Sequence, residues 1–167
     1  SRQLVRAEKE LGECLEREEH IIKDMNALAG DKAQNKVKQL NTVIVKMNAQ
    51  IERLQKDAAF YQDNDTCHTC GQEIAADVRD QHVSEAAKKM KEVDAASIQA
   101  NQMLISEQRT LDLVAEHTKR LSQYKQETFE AQTAIKYCNR NIQEAQKKIT
   151  EIQKDTSSVD KEEGVLL

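Results

Sequence analysis

The sequence has no proline and no tryptophan, and only four of its 167 residues are glycine. Aromatic residues make up 3% of the chain, although a compact domain of this length normally uses more of them to fill its core. Proline and glycine are the residues that interrupt helices, so their scarcity permits long ones. Together with 32% charged residues, these features predict amphipathic helices that share a narrow apolar seam.

Other missing features exclude several classes of protein. No apolar run is long enough to span a membrane, and the N-terminus has no signal-peptide pattern, which predicts a cytoplasmic protein without a membrane partner. The 25 basic and 29 acidic residues are interspersed, without the basic patch of a nucleic-acid-binding surface. The chain has no phosphate-binding glycine loop, and its carboxylates fall on predicted solvated faces, so we expect this segment to be non-catalytic.

Apolar residues recur at alternating spacings of three and four, which is the heptad pattern of a coiled coil. The pattern slips near Gly30, where we expect a break in the helix. The clearest stripe consists of Val37, Leu40, Ile44, Met47, Ile51, Leu54, Ala58 and Tyr61. An earlier stripe consists of Leu4, Leu11, Leu15, Ile22, Met25 and Ala29. A later stripe runs from Ala86 and Met90 through Leu104, Leu111 and Leu121 to Ile135, Cys138, Ile142, Ile149 and Ile152.

The polar stretch 62–66 and Gly71 mark one interior turn. The sequence therefore predicts an all-α chain that forms a long antiparallel coiled-coil hairpin. We assign residues 1–61 to the ascending helix, 62–73 to the apex, 74–155 to the descending helix and 156–167 to a frayed tail or linker. The preferred register places Met47 opposite Met90 and Leu15 opposite Leu121. It also tends to place large residues opposite small ones, as with Leu40 and Ser97. It leaves the end of the second helix unpaired, as expected for a piece of a longer protein.

The apex contains Cys67-His68-Thr69-Cys70-Gly71. Two thiolates at this spacing can bind one Zn²⁺, and a structural zinc site normally has four ligands. Glycine after the second cysteine suits the tight turn that such a pair requires. Because the chain has no second pair of this kind, we expect Cys67 and Cys70 to share one Zn²⁺ with a second copy. His68, Thr69 and Gly71 would then lie at the apex of a homodimer.

Two other interpretations of the cysteine pair remain open. A CxxC motif also occurs in thiol–disulfide oxidoreductases, although these place it in a βαβ context that this sequence lacks. Alternatively, His68 or His82 could complete a site within one chain. Cys138 falls in the apolar stripe and is expected to be a buried small residue, whereas Cys14 lies beside Leu15 and far from the apex.

A helical hairpin that turns at Cys67-His68-Thr69-Cys70 resembles the zinc-hook region of SMC-like repair ATPases. These are the ATPase subunits of the Mre/Rad double-strand-break nuclease complex, with counterparts in bacteria and phages, including phage recombination endonuclease subunits. The resemblance implies that Cys67 and Cys70 bind the zinc and that the hook joins two arms. It also implies ATPase heads outside this chain that contact a nuclease subunit and DNA, in a bacterial or phage-infected cell. The rival function is a structural coiled-coil spacer that dimerises without metal.

Overall fold

Three α-helices make up most of the chain. The computed structural model describes the backbone of residues 1–165 and the side chains of residues 1–157. The helices are α1 (Arg2–Leu28), α2 (Gly30–Asp63) and α3 (Ala76–Val165). Among the described residues there is no strand, and one isolated antiparallel bridge joins Thr66 to Glu73. The prediction of an all-α chain is confirmed.

The interruption between α1 and α2 consists of a single residue, Ala29. Its φ of 48° and ψ of 54° are left-handed, a conformation that alanine rarely adopts. The Ala29 carbonyl accepts hydrogen bonds from the N–H groups of Lys32 and Ala33, so α2 begins at once. A Cβ on Gly30 would lie 3.3 Å from a methyl group of Val114, which explains why glycine fits there. The sequence predicted a break near residue 30 because Gly30 weakens a helix, whereas the left-handed residue is the preceding Ala29.

The chain divides into two compact units. One contains Ser1–Ala27 together with the chain from Glu116 onward, and the other contains Leu28–Ala115. In the second unit, Lys36 of α2 pairs with Glu107 of α3, and Tyr61 near the end of α2 contacts His82 near the start of α3. The two helices therefore run in opposite directions within this unit. The residues of the clearest predicted stripe, from Val37 to Tyr61, are half-buried or buried there, as the heptad pattern predicted.

In the first unit, the structure corrects part of the predicted stripe of α1, since Leu4, Leu11 and Met25 are half-buried as predicted. Cys14 and Ile21 are 4% and 7% exposed, whereas the predicted stripe residues Leu15 and Ile22 are 48% and 43% exposed. Both pairs repeat at the seven-residue spacing, so the pattern alone supported either face. The buried face is the one that includes the small residue Ala7, since small side chains allow helix backbones to approach closely.

The predicted register is also wrong. It placed Asn101 opposite Lys36 and Arg120 opposite Arg17, but the ion-pair partners are Glu107 and Glu127. These partners lie six and seven residues further along, which is about one heptad. A shift of one heptad returns every apolar position to a similar position in the facing stripe, so apolar spacing could not distinguish the two registers. Polar pairs that do not repeat every seven residues do distinguish them.

Three predicted boundaries also differ from the structure. Helix α2 continues to Asp63, beyond residue 61, and α3 begins at Ala76 instead of residue 74. The segment expected to be a frayed tail from residue 156 is helical through Val165. Serine and threonine are weak helix formers, but no proline interrupts the segment. The Thr156 hydroxyl donates to the carbonyl of Ile152 at 2.8 Å, so its hydrogen bond is made within the helix. Residues 166 and 167 of the predicted tail lie outside the described residues.

Candidate metal centre

The loop between α2 and α3 begins where Asn64 ends the first of these helices. The backbone N–H and the side-chain amide of Asn64 both donate to the carbonyl of Phe60, each at 3.0 Å. Asn64 itself is extended, with φ of −128° and ψ of 135°. These two bonds satisfy a carbonyl that the helix leaves without a partner and direct the chain into the loop.

The cysteine motif lies in a small closed turn within this loop. At its base, the Ile74 N–H donates to the Asp65 carbonyl at 2.6 Å. Further in, the Cys67 N–H donates to the Gln72 carbonyl, and the Gly71 N–H donates back to the Cys67 carbonyl, each at 2.8 Å. Gly71 has a φ of 70°, which favours a residue without a Cβ. We call residues 67–72 the knuckle.

The knuckle stabilises the thiolate form of its first cysteine. Backbone N–H groups of Cys70 and Thr69 bond to the Cys67 sulfur and lower the pKa of that thiol. Cys67 is half-buried, and Cys70 is exposed with its thiol 3.8 Å from the side-chain oxygen of Gln72. Both cysteines are free and line one shallow surface cavity, together with Tyr61, Gln72, Glu73, Ile74, Ala75, Val78 and His82. A metal ion could therefore reach both sulfurs from solvent.

The two histidines near the knuckle contact aromatic rings. The His68 and Phe60 rings form an edge-to-face pair with a centroid distance of 4.9 Å and an interplanar angle of 64°. The His82 ring stacks on Tyr61 at 4.2 Å, with the rings 5° from parallel. Across the described residues, no three His, Cys, Asp or Glu side chains come together as a metal-binding group. The structure thus gives no support to a site completed by either histidine within one chain.

The two remaining cysteines are distant from the knuckle in sequence and differ from it in their surroundings. Cys138 is 8% exposed, and its expected place as a buried small residue is confirmed. Burial raises the pKa of the Cys14 thiol, which also lies near Glu127 and Arg17. Both thiols are buried, so the thiols that a metal ion can reach from solvent are those of Cys67 and Cys70.

Sequence reasoning missed Phe60 and Tyr61 as residues of the candidate site. Tyr61 was assigned to the apolar stripe, and Phe60 was not singled out. The available signal was their position, because adjacent aromatic residues directly precede the loop in a chain with only five Phe and Tyr residues. Their ring contacts depend on the folded loop and could not be derived from spacing.

Comparison of the chain with protein-family models, with curated proteins and with solved structures found no match. Within the residues that the structure describes, no helix contains an apolar stretch of the length needed to cross a bilayer.

Proposed function

We propose that this chain is a tethering arm of an SMC-like DNA repair and recombination ATPase. Helices α2 and α3 would form an antiparallel coiled coil, and the knuckle between them would provide two of the four ligands of a zinc site. A second copy would provide the other two. The observation that carries this proposal is a closed turn that presents two free thiols, which belong to no cluster of three metal-ligating side chains among the described residues.

The chemistry of the knuckle fits a shared zinc ion. Thiolates are the preferred protein ligands of structural Zn²⁺, which they bind at about 2.3 Å in tetrahedral geometry. Two thiols form half of such a site, so a single chain would hold the ion weakly and a dimer would hold it well. Dimerisation would therefore depend on zinc and protein concentrations, and it would weaken at low pH, where protons compete for the thiolates.

The role in DNA repair rests on the resemblance of Cys67-His68-Thr69-Cys70 and its flanking helices to a zinc hook. In that role, this segment is non-catalytic, and ATPase heads outside it contact a nuclease subunit and DNA. Zinc at the apex would connect two arms and so bridge DNA ends or complexes. The proposed setting is the cytoplasm of a bacterial or phage-infected cell.

The test measures zinc content and mass in solution together. We expect one zinc ion per two chains and a dimer that dissociates when a chelator removes the metal. Cys67→Ser and Cys70→Ser should each abolish the metal-linked dimer and leave the helical circular dichroism spectrum nearly unchanged. Cys138→Ser is the matched control, because it removes a thiol distant from the knuckle and should leave the zinc-dependent dimer intact.

Each rival interpretation has its own outcome. A coiled-coil spacer would dimerise equally after chelation and in the cysteine variants. A redox module, which the lowered pKa of Cys67 also suits, would contain a Cys67–Cys70 disulfide and no metal. One zinc ion per monomer would show that a residue of the same chain completes the site.

A further inference from the structure

Four aromatic rings form a continuous series beside the knuckle. His68 contacts Phe60 at 4.9 Å, Phe60 contacts Tyr61 at 5.2 Å, and Tyr61 contacts His82 at 4.2 Å. The first residue lies inside the knuckle, the next two are in the last turn of α2, and His82 is in the second turn of α3. We call this series the ring chain. It joins the proposed metal ligands to both helices.

These rings are unusual in a chain with few aromatic residues. Two of its five Phe and Tyr residues and two of its four histidines take part in the ring chain. Phe60 and Tyr61 are half-buried, while His68 and His82 are exposed, so the cluster is not a packed core. Edge-to-face and offset-stacked pairs nevertheless contribute more stability than their buried area alone would give. The reason is that these geometries bring the positive edge of one ring towards the negative face of the other.

The knuckle has few other connections to the helices. In the described part of the chain, the hydrogen bonds of residues 67–72 connect to partners inside the knuckle. The paired segments at the base of the loop are joined by the Asp65–Ile74 bond and the Thr66–Glu73 bridge. The contact of His68 with Phe60 is therefore a direct side-chain link between the knuckle and α2. No proline restricts the backbone between Cys67 and Cys70.

We propose that Phe60 and His68 are positioning residues for the metal site. Their edge-to-face contact holds the Cys67–Cys70 turn in one orientation at the end of α2. A turn already held in this way loses less freedom when it joins a second copy around a metal ion, so metal and partner bind more tightly. Tyr61 and His82 extend the same support to the start of α3. This inference rests on the proposed function.

The test titrates Co²⁺, whose thiolate charge-transfer absorption reports binding, into Phe60→Leu, Phe60→Tyr and the unmodified chain. Loss of the ring contact in one chain should lower the affinity of metal-linked dimerisation by up to about tenfold. A dimer of two variant chains loses two ring contacts, so its affinity should fall further. Phe60→Tyr keeps the ring and should retain the affinity. Phe129→Leu is the matched control, because Phe129 is 69% exposed and distant in sequence from the knuckle.

A second measurement reports the ring contact without metal. In the chelated protein, the ring current of Phe60 should displace the NMR signals of the His68 ring protons from their free-histidine positions. This shift should disappear in Phe60→Leu and persist in Phe60→Tyr and Phe129→Leu. His68→Phe replaces the imidazole but keeps a ring, so it should still bind Co²⁺ with near-normal affinity. Loss of metal binding in His68→Phe would instead make His68 a ligand and overturn the positioning role.

The outcomes separate this inference from the proposed function. If the unmodified chain forms a Co²⁺-linked dimer and Phe60→Leu does so with equal affinity, the positioning role is wrong and the metal site stands. If Phe60→Tyr weakens binding as much as Phe60→Leu, the ring contact is not the cause, and the inference is again overturned. If the unmodified chain binds no Co²⁺ at the knuckle, the proposed function itself fails. Equal helical circular dichroism in all variants excludes unfolding as the explanation.

Discussion

Replacing Ala29 with glycine should stabilise the chain, although the same change in a helix normally destabilises it. Ala29 has a φ of 48° and lies between α1 and α2. In this left-handed conformation the Cβ of an L-residue crowds the following carbonyl oxygen, and glycine avoids that contact. The left-handed backbone is maintained because the Ala29 carbonyl starts the next helix through Lys32 and Ala33.

The size of the effect follows from two opposing contributions. Relief of the left-handed alanine stabilises the folded chain by about 1–2 kcal/mol. The greater freedom of glycine in the unfolded chain costs about 0.4–1 kcal/mol. We therefore expect Ala29→Gly to raise the free energy of unfolding by about 0.8 kcal/mol and by no more than about 1.6 kcal/mol, with a rise in Tm of about 2–3 °C at the central value.

Ala49→Gly provides the control, because Ala49 is exposed in the interior of α2 and glycine there should cost about 1 kcal/mol. Urea denaturation followed by far-UV circular dichroism, with chelator present to remove metal-linked dimers, compares the two variants. The reasoning predicts opposite signs for the same substitution. If Ala29→Gly destabilises the chain as much as Ala49→Gly, residue 29 is in a continuous helix and the interruption is refuted.

Two further predictions concern the register and the buried thiol. A short bismaleimide should cross-link Lys36→Cys to Glu107→Cys, since the Lys36 Nζ and Glu107 Oε1 atoms lie 2.9 Å apart, and it should not cross-link Lys36→Cys to Asn101→Cys. Mass spectrometry maps the cross-linked residues. The reverse result would restore the register predicted from apolar spacing. Burial raises the pKa of Cys14, so above the ordinary thiol pKa of 9.0 the unfolded chain ionises there while the folded chain keeps its proton. Stability should then fall as pH rises through that value, and denaturation of Cys14→Ala should show a smaller fall; an identical fall would contradict the assignment.

The sequence predicted α2 better than α1, and the reason is visible in their side chains. In α2 a single continuous stripe from Val37 to Tyr61 was available, and this stripe is the one that packs. In α1 two adjacent stripes have the same spacing, one with Leu15 and Ile22 and the other with Cys14 and Ile21. Hydrophobicity favoured Leu15 over Cys14 and could not distinguish Ile22 from Ile21, whereas the buried face is the one that continues through the small residue Ala7.

The candidate metal ligands were identifiable from sequence because CxxC is a local motif that one turn can present. The turn itself follows from local features too, including Gly71 and the polar stretch before the motif. The side-chain contacts that surround the turn could not be predicted from such local features. Ring contacts such as Phe60 with His68 depend on where α2 ends, and the helix ends two residues later than the sequence indicated.

The sequence by itself determined that this chain is helical, where its main apolar stripe lies and where its two accessible thiols occur. These properties depend on composition and on spacings within a few turns. The tertiary structure alone decided the register, the buried face of α1, the left-handed Ala29 and the ring chain. A heptad pattern is nearly unchanged by a shift of seven residues, so it defines a face but not a partner. Contacts that do not repeat, such as Lys36 with Glu107 and Arg17 with Glu127, show which partner the fold selects.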